Sequence, residues 1–161
     1  MKNLTTRRLA VSGMIGAAYA VMAIFGSVFG LTFGPIQVRF SEALCLLPFL
    51  FPETAWGLGV GCLIANLIGG AGILDIVFGS LATLIAGLLT YAMRKLPAWV
   101  ALLPVVVVNG LVVGWVLNAA YGTPLLLGMG SVALGQAVVC YVLGLPLLAL
   151  LRRRLPEKLL H

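Results

Sequence analysis

The chain has 161 residues, of which 62% are hydrophobic and 9% are charged, and its mean hydropathy is +1.17. Soluble domains carry about 45–50% apolar and about 25% charged residues, so this composition excludes an ordinary soluble domain and indicates a membrane protein. The formal charge of +6 arises from 10 Lys and Arg against 4 Asp and Glu, which is too few basic sites for a nucleic-acid-binding surface. We expect the basic residues to report membrane topology instead.

Residue usage excludes several kinds of chemistry. The one histidine, His161, lies at the end of the sequence, so no histidine dyad, histidine metal cluster or haem ligand is expected inside the fold. Cys45, Cys62 and Cys140 lie far apart in apolar runs without zinc-site spacing, and we interpret them as core residues. There is no GxxxxGK[ST] phosphate-binding loop, so we expect no cofactor in this chain and the use of ATP only through a partner.

Proline, glycine and charged residues divide the chain into six apolar segments. The first apolar run, which begins at Leu9, is too long for a signal peptide and is followed by more membrane sequence. The prediction is therefore an all-α bundle of six transmembrane helices in one domain, residues 1–161. The predicted helices are Thr6–Phe25, Val38–Leu50, Ala55–Ile68, Ile73–Met93, Trp99–Ala119 and Leu127–Leu151.

The connections between these helices predict the orientation of the bundle. With a cytoplasmic N-terminus, nine of the ten basic residues fall on cytoplasmic segments, and Arg39 is the exception. We therefore expect six spans with both termini on the cytoplasmic side of the membrane. The long connection Gly26–Gln37 combines glycines with Phe29 and Phe33, and we expect it to act as a lid.

Polar residues concentrate in the outer half of the predicted bundle. An ionisable residue costs about 2.5–3.5 kcal/mol at the membrane centre, so each one suggests a function or a partner. The inner halves of the fourth and fifth helices offer mainly Thr83 and Thr90, which favours an outward-open binding pocket over a polar channel. Carboxylates and amides there can hydrogen-bond a heterocycle, and an aromatic ring can stack on it. The candidate binding residues are Arg39, Glu42, Asn66, Asp75, Trp115, Asn118, Tyr121 and Gln136.

The charged candidates also have structural explanations. Arg39 and Glu42 are three residues apart, so they can form an ion pair within one helix. Asp75 follows a glycine break and can serve as a first-turn acid that the helix dipole favours. These alternatives stay open on the sequence.

The uncharged candidates can likewise be structural. Asn109 and Asn118 are nine residues apart, about 180° around an ideal helix, so we expect at least one of them to face away from the pocket. Asn66 and Gln136 can hydrogen-bond between helices. Tryptophans such as Trp115 can anchor the chain at the membrane interface.

The first predicted helix carries two adjacent stripes of small residues. Gly13 and Ala17 form one stripe, and Ser12, Gly16 and Ala20 form the other. Small residues four apart let another helix approach closely. Such a stripe packs against helices of its own chain or against a partner, and the sequence does not separate the two.

Two segments give more specific information than composition does: QVRFSEAL, residues 37–44, and GCLIANLIGGAGILDIVFGSLATLIAG, residues 61–87. With them the chain resembles the QueT family, the substrate-binding S components of energy-coupling factor transporters associated with queuosine precursors. The resemblance extends over essentially the whole chain, including the basic N-terminus, the small residues of the first helix and the basic tail.

The resemblance implies a six-helix S component that binds a 7-deazaguanine, such as 7-aminomethyl-7-deazaguanine or queuine, from outside. It implies as partners a transmembrane T component and two cytoplasmic ATPases, with docking through Gly13 and Ala17, where the family pattern has alanine at both positions. It also makes Arg39, Glu42, Asn66 and Asp75 the foremost site candidates. One ionised carboxylate can accept the adjacent ring N1 and exocyclic amine donors of a deazaguanine, and we rank Glu42 first and Asp75 second.

Three other functions remain as alternatives. An ion-coupled secondary transporter would use protonation of Glu42 or Asp75, but it predicts polar residues continuing into the inner half. A membrane enzyme would depend on these two acids or on a lone Ser or Cys. A structural or regulatory subunit without a ligand does not explain the one-sided polar residues.

Overall fold

The computed structural model describes residues 2–30 and 38–154, with side chains from residue 5 onward. These residues form helices and turns and no strand. The predicted lid lies largely outside them, since residues 31–37 are not described. The helices are α1 (Lys2–Val28), α2 (Phe40–Phe49), α3 (Thr54–Ile68), α4 (Asp75–Ala92), α5 (Ala98–Tyr121) and α6 (Leu125–Arg154).

Four of these helices are long and apolar enough to cross a membrane, namely α1 from Thr5 onward, α4, α5 and α6. Helices α2 and α3 are shorter, with 10 and 15 residues. At rises of about 2.0 Å and about 1.5 Å per residue, each is roughly 20 Å long, less than the hydrocarbon thickness of about 30 Å. The chain is thus all-helical with four long apolar helices, as in a membrane protein, while six spans and their orientation stay predictions.

The outside of the bundle is apolar. Large hydrophobic side chains are exposed along the helices, among them Leu126 (84%), Ile73 (80%) and Val28 (77%). Contiguous apolar surface of this kind is uncommon on soluble monomers and suits contact with lipid. The core is formed by smaller and medium apolar residues, including Ala23, Leu46, Leu58 and Val105.

Helix α2 lies at the centre of the bundle, where it contacts α1, α3, α4 and α6. Residues 41–49 are all buried. The sequence correctly predicts a helix here, but the structure shows a 3₁₀ helix, in which side chains three residues apart eclipse one another. This geometry places Cys45 directly beside Glu42, with Sγ 2.9 Å from Oε2.

The remaining helices depart from regular α-helix at a few points. Helix α4 opens with a π-helical turn, Asp75–Gly79, and α6 contains a second one, Val139–Gly144. Helix α5 is interrupted between Ala98–Ala101 and Leu103–Tyr121, where Pro104 lacks the N–H that would continue the first segment.

Helices α1 and α3 approach one another backbone to backbone. A Cβ atom added at Gly16 would lie 2.5 Å from the carbonyl oxygen of Gly57, and one added at Gly61 would clash with the backbone of Gly16. Ser12 completes the contact, because its hydroxyl donates to the carbonyl of Glu53 at 2.8 Å. The stripe Ser12, Gly16 and Ala20 therefore packs within the chain.

The two ends of the bundle differ in chemistry. The guanidinium of Arg152 lies over the ring of Phe49, 4.8 Å from its centroid, so the basic end of α6 meets the last residue of α2. The Ser12–Glu53 contact brings the start of α1 to this same end. Arg39 directly precedes α2 and therefore lies at the opposite end, where the buried polar residues described next are concentrated.

Candidate functional site

An ion pair at the start of α2 and α4 forms the centre of the first buried polar group. Arg39 and Asp75 are 3% and 2% exposed, and Nη2 of Arg39 lies 3.4 Å from Oδ1 of Asp75. This separation exceeds the 2.7–2.9 Å of a tight charge-assisted hydrogen bond. The sequence left open a pair between Arg39 and Glu42, and the ion pair that the structure shows joins Arg39 to Asp75 instead.

Asn66, Cys62 and Thr83 complete this group, which we call the Arg39 cluster. Nδ2 of Asn66 donates to the backbone carbonyl of Asp75 at 2.8 Å and lies 3.6 Å from Sγ of Cys62. Nη1 of Arg39 lies 3.8 Å from the same sulfur, and the hydroxyl oxygen of Thr83 lies 3.4 Å from it and 3.1 Å from the backbone carbonyl of Gly79. Three polar groups thus surround one buried thiol.

The turn between α3 and α4 assembles the Arg39 cluster. Helix α3 ends at Ile68, and Gly70 takes a positive φ of +71°, which a residue with a side chain adopts at a cost. The chain then reverses, so that Asn66 at the end of α3 meets Asp75 at the start of α4. Asp75 does lie in a first helical turn, as the structural alternative supposed, and it is paired as well.

Gly79 closes the π-helical turn and faces the Arg39 cluster. A Cβ atom there would lie 3.4 Å from Nδ2 of Asn66, 3.4 Å from Oδ1 of Asp75 and 4.0 Å from Nη1 of Arg39. All three nearest atoms belong to polar side chains. The missing side chain therefore leaves space directly beside these three groups.

Glu42 forms the centre of a second buried polar group, the Glu42 cluster. Its Oε1 accepts a hydrogen bond from the hydroxyl of Tyr19 at 2.5 Å. Its Oε2 contacts Cys45 Sγ at 2.9 Å and Asn109 Nδ2 at 3.4 Å. The thiol of Cys140 lies 3.7 Å from the Glu42 backbone carbonyl. Both carboxylate oxygens of Glu42, which is 1% exposed, are thus engaged by protein donors from three helices.

Four buried polar atoms have no hydrogen-bond partner among the described residues: Ser41 Oγ, Asn66 Oδ1, Ser80 Oγ and Gln136 Oε1. Leaving such an atom unpaired costs about 1–3 kcal/mol, so each is a place where a further donor stabilises the protein. Asn66 Oδ1 belongs to the same side-chain amide as Nδ2, which donates to the backbone carbonyl of Asp75. This unpaired acceptor therefore lies within the Arg39 cluster. Gln136 is 3% exposed, and the two groups above include no contact to it.

Four predicted site residues, Gln136 among them, are not brought into either cluster. Trp115 is 43% exposed and packs edge-to-face on Phe78, with ring centroids 5.3 Å apart. Tyr121 is exposed at the end of α5. Asn118 donates to the carbonyl of Thr123 at 2.7 Å and so supports the α5–α6 turn.

The arrangement of α5 and α1 resolves two alternatives that the sequence left open. Asn109 is buried against Glu42 while Asn118 is exposed, as their spacing of half a turn predicts. On α1, Gly13 and Ala17 face outward, and nothing described lies within 4 Å of a Cβ atom at Gly13. The outward stripe thus remains available to a partner.

Sequence reasoning missed several residues of these clusters. Tyr19 lies in the first helix, where we considered only the small residues as a packing surface. The sequence feature that could have identified Tyr19 is a phenolic hydroxyl inside an apolar segment. Cys45 and Cys62 were assigned to the core, which is where they lie, but both contact charged side chains. Gly79 gave no signal, since its role depends on the π-helical turn.

Comparison with known proteins identifies relatives of the chain. The model of a family described as "QueT transporter" matches residues 9–153. The curated "Queuosine precursor transporter QueT" of Lactococcus lactis subsp. cremoris (strain MG1363) is 27% identical over 85 residues, which are 53% of this chain and 50% of that protein. The match therefore spans about half the length of this curated relative. No solved structure matches the chain significantly.

Proposed function

This chain belongs to the QueT transporter family, and we propose that it is the substrate-capture component of an importer for a queuosine precursor. The ligand is a 7-deazaguanine such as 7-aminomethyl-7-deazaguanine or queuine, and it binds at the Arg39 cluster from the outer side of a bacterial cell membrane. The observation that carries this proposal is the unpaired Asn66 Oδ1, in the same buried cluster as the Asp75 carboxylate and inside a bundle whose exterior is apolar.

The chemistry of the Arg39 cluster suits a heterocycle rich in N–H donors. The contact between Asp75 and Arg39 uses Oδ1 of Asp75 and is long, which leaves Oδ2 as an acceptor. Asn66 Oδ1 supplies a second acceptor. A deazaguanine presents adjacent donors at its ring N1 and exocyclic amine, which the carboxylate and amide acceptors of this cluster can receive.

The two carboxylates have different roles in this proposal. Glu42 ranked first on the sequence, but Tyr19, Cys45 and Asn109 already donate to its oxygens. We therefore assign the ligand contact to Asp75 and assign Glu42 to joining α1, α2 and α5 behind the site. Gln136, with its own unpaired acceptor, remains a further contact candidate.

Energy for uptake comes from partner subunits. The sequence contains no phosphate-binding loop. As the family resemblance implies, two cytoplasmic ATPases use ATP and act through a transmembrane T component. The loaded bundle docks on the T component through the outward stripe of Gly13 and Ala17, which is exposed among the described residues. Both termini of this six-span component lie on the cytoplasmic side.

A binding experiment tests the ligand and its carboxylate. Purified protein in detergent is titrated with 7-aminomethyl-7-deazaguanine, queuine and guanine, and wild type is compared with Asp75→Asn, Glu42→Gln and the control Glu53→Gln. Glu53 is an acid at the opposite end of the bundle. We expect Asp75→Asn to weaken deazaguanine binding about 10- to 100-fold, because a hydrogen bond to a charged group contributes about 1.5–3 kcal/mol.

The other variants separate the alternatives. Glu42→Gln and Glu53→Gln are expected to bind within about threefold of wild type, because neither acid contacts the ligand in this proposal. A change of that size is smaller than the effect of losing one ordinary hydrogen bond. Equal losses in Asp75→Asn and Glu42→Gln would make both acids ligand contacts and contradict the division of roles. Folded wild-type protein that binds none of the three compounds would refute the proposed ligand. Uptake into liposomes without any ATPase would favour an ion-coupled transporter.

A further inference from the structure

We infer that Gly79 is a specificity-determining residue of the ligand site proposed above, because the ligand occupies the volume that a side chain at this position would fill. This inference rests on the proposed function. It adds to the site an apolar contact surface, the backbone of Gly79, beside the hydrogen-bonding carboxylate and amide groups. The argument depends on why a glycine stands at this position.

Backbone conformation does not require glycine at residue 79. Its φ and ψ are −64° and −41°, which is ordinary right-handed helix that every L-residue adopts. Glycine is instead required where φ is positive, as at Gly70 and Gly122. In a helix interior, glycine is less favourable than alanine by about 0.5–1 kcal/mol.

Packing among the described residues does not require glycine either. The distances of 3.4, 3.4 and 4.0 Å from an added Cβ atom to its nearest neighbours are ordinary van der Waals contacts. By contrast, a Cβ atom at Gly114 would lie 2.6 Å from Met129, a contact that demands rearrangement. Within the described part of the chain, Gly79 is thus a buried helical glycine without a conformational or steric reason.

The neighbours of Gly79 supply the missing reason. The three nearest atoms belong to Asn66, Asp75 and Arg39, all of them polar side chains. The Asp75 atom that faces Gly79 is Oδ1, and the Asn66 atom is Nδ2, whose amide also carries the unpaired Oδ1. A ligand atom that hydrogen-bonds the Asp75 carboxylate through Oδ1 at about 2.9 Å from this side enters the volume that a Cβ atom would take. A flat ring lying on the bare Cα of Gly79 can therefore reach both groups, whereas a methyl group holds it away.

The test compares Gly79→Ala with Gly144→Ala. Gly144 is a matched control because it also ends a π-helical turn, is buried, and has its nearest added-Cβ contact at 3.4 Å, to the backbone of Ala43. Each variant is purified in detergent, and its thermal midpoint and its affinity for 7-aminomethyl-7-deazaguanine are measured. We expect Gly79→Ala to unfold at or above the wild-type midpoint and to bind at least about fivefold more weakly, as overpacking against the ligand predicts.

Each outcome bears on a definite claim. Gly79→Ala that binds within about twofold of wild type would overturn the inference while leaving the proposed function standing. A clearly lowered midpoint for Gly79→Ala would show that glycine is needed for packing, which also overturns it. Wild-type protein that does not bind would refute the proposed function itself. Gly144→Ala is expected to keep wild-type affinity, and an equal loss there would show that the effect is not local to the Arg39 cluster.

Discussion

Replacing Gly16 by alanine is expected to force α1 and α3 apart. The new Cβ atom would lie 2.5 Å from the carbonyl oxygen of Gly57, whereas ordinary contact begins at 3.4 Å, so the backbones must separate by about 3.4 − 2.5 = 0.9 Å. A gap of 0.5–1 Å forfeits about a quarter to a half of the attraction between facing atoms. Overpacking of this kind costs about 1–3 kcal/mol of unfolding free energy.

Gly13→Ala provides the matched control for this prediction. It makes the same chemical change in the same helix, with the same gain in helix propensity, but nothing described lies within 4 Å of its Cβ atom. The difference between the two variants therefore isolates the contact with α3. We expect Gly16→Ala to unfold roughly 2–12 °C below Gly13→Ala, given about 2–4 °C per kcal/mol for a chain of this size.

Thermal unfolding in detergent, followed by tryptophan fluorescence, measures this difference. Trp56 lies on α3 and reports directly on the helix that Gly16 contacts. Equal midpoints for the two variants would refute the conclusion that the Gly16 stripe packs within the chain. A lower midpoint for Gly13→Ala would reverse the assignment of the two stripes.

Two further substitutions separate stability from ligand binding. Tyr19→Phe removes the hydroxyl that donates to Glu42, so we expect a loss of about 1.5–3 kcal/mol in unfolding free energy, with deazaguanine affinity unchanged in titration calorimetry; loss of affinity at an unchanged midpoint would instead place Tyr19 in the ligand site. Asn118→Ala removes the 2.7 Å hydrogen bond to Thr123 and is expected to cost about 0.5–1.5 kcal/mol, again without weakening binding. A tenfold weaker affinity for Asn118→Ala would restore this residue to the site.

Local sequence signals located the helices well. Pro52 and Pro97 cannot continue a helix, and Gly122 takes the left-handed conformation that ends α5, so the predicted ends lie within a few residues of those observed. These signals act within a few residues of the chain and depend little on packing. The 3₁₀ geometry of α2 gave no such signal, because it is a property of a helix surrounded by four others.

The partners of the polar residues were beyond sequence reasoning. That Arg39, Asn66 and Asp75 share one end of the bundle follows from helix order and spacing, but the choice of Asp75 over Glu42 as the acid beside Arg39 depends on how α4 docks against α2. Similarly, Ser12 and Gly13 head adjacent stripes of equal quality. The rotation of α1 decides which of them meets α3, and that rotation is set by tertiary contacts.

The π-helical turn of α4 changes the angle around the helix axis between two residues of the Arg39 cluster, Asp75 and Thr83. Asp75 and Thr83 are eight residues apart, which on a regular helix leaves them about 80° apart around the axis. The five residues of the π-helical turn, with its wider i→i+5 hydrogen bonding, turn the chain less per residue than a regular α-helix and so bring the two side chains closer to one line. A helical wheel drawn from the sequence therefore separates Thr83 from Asp75, whereas in the folded chain Thr83 contacts the same thiol as Arg39, which is paired with Asp75.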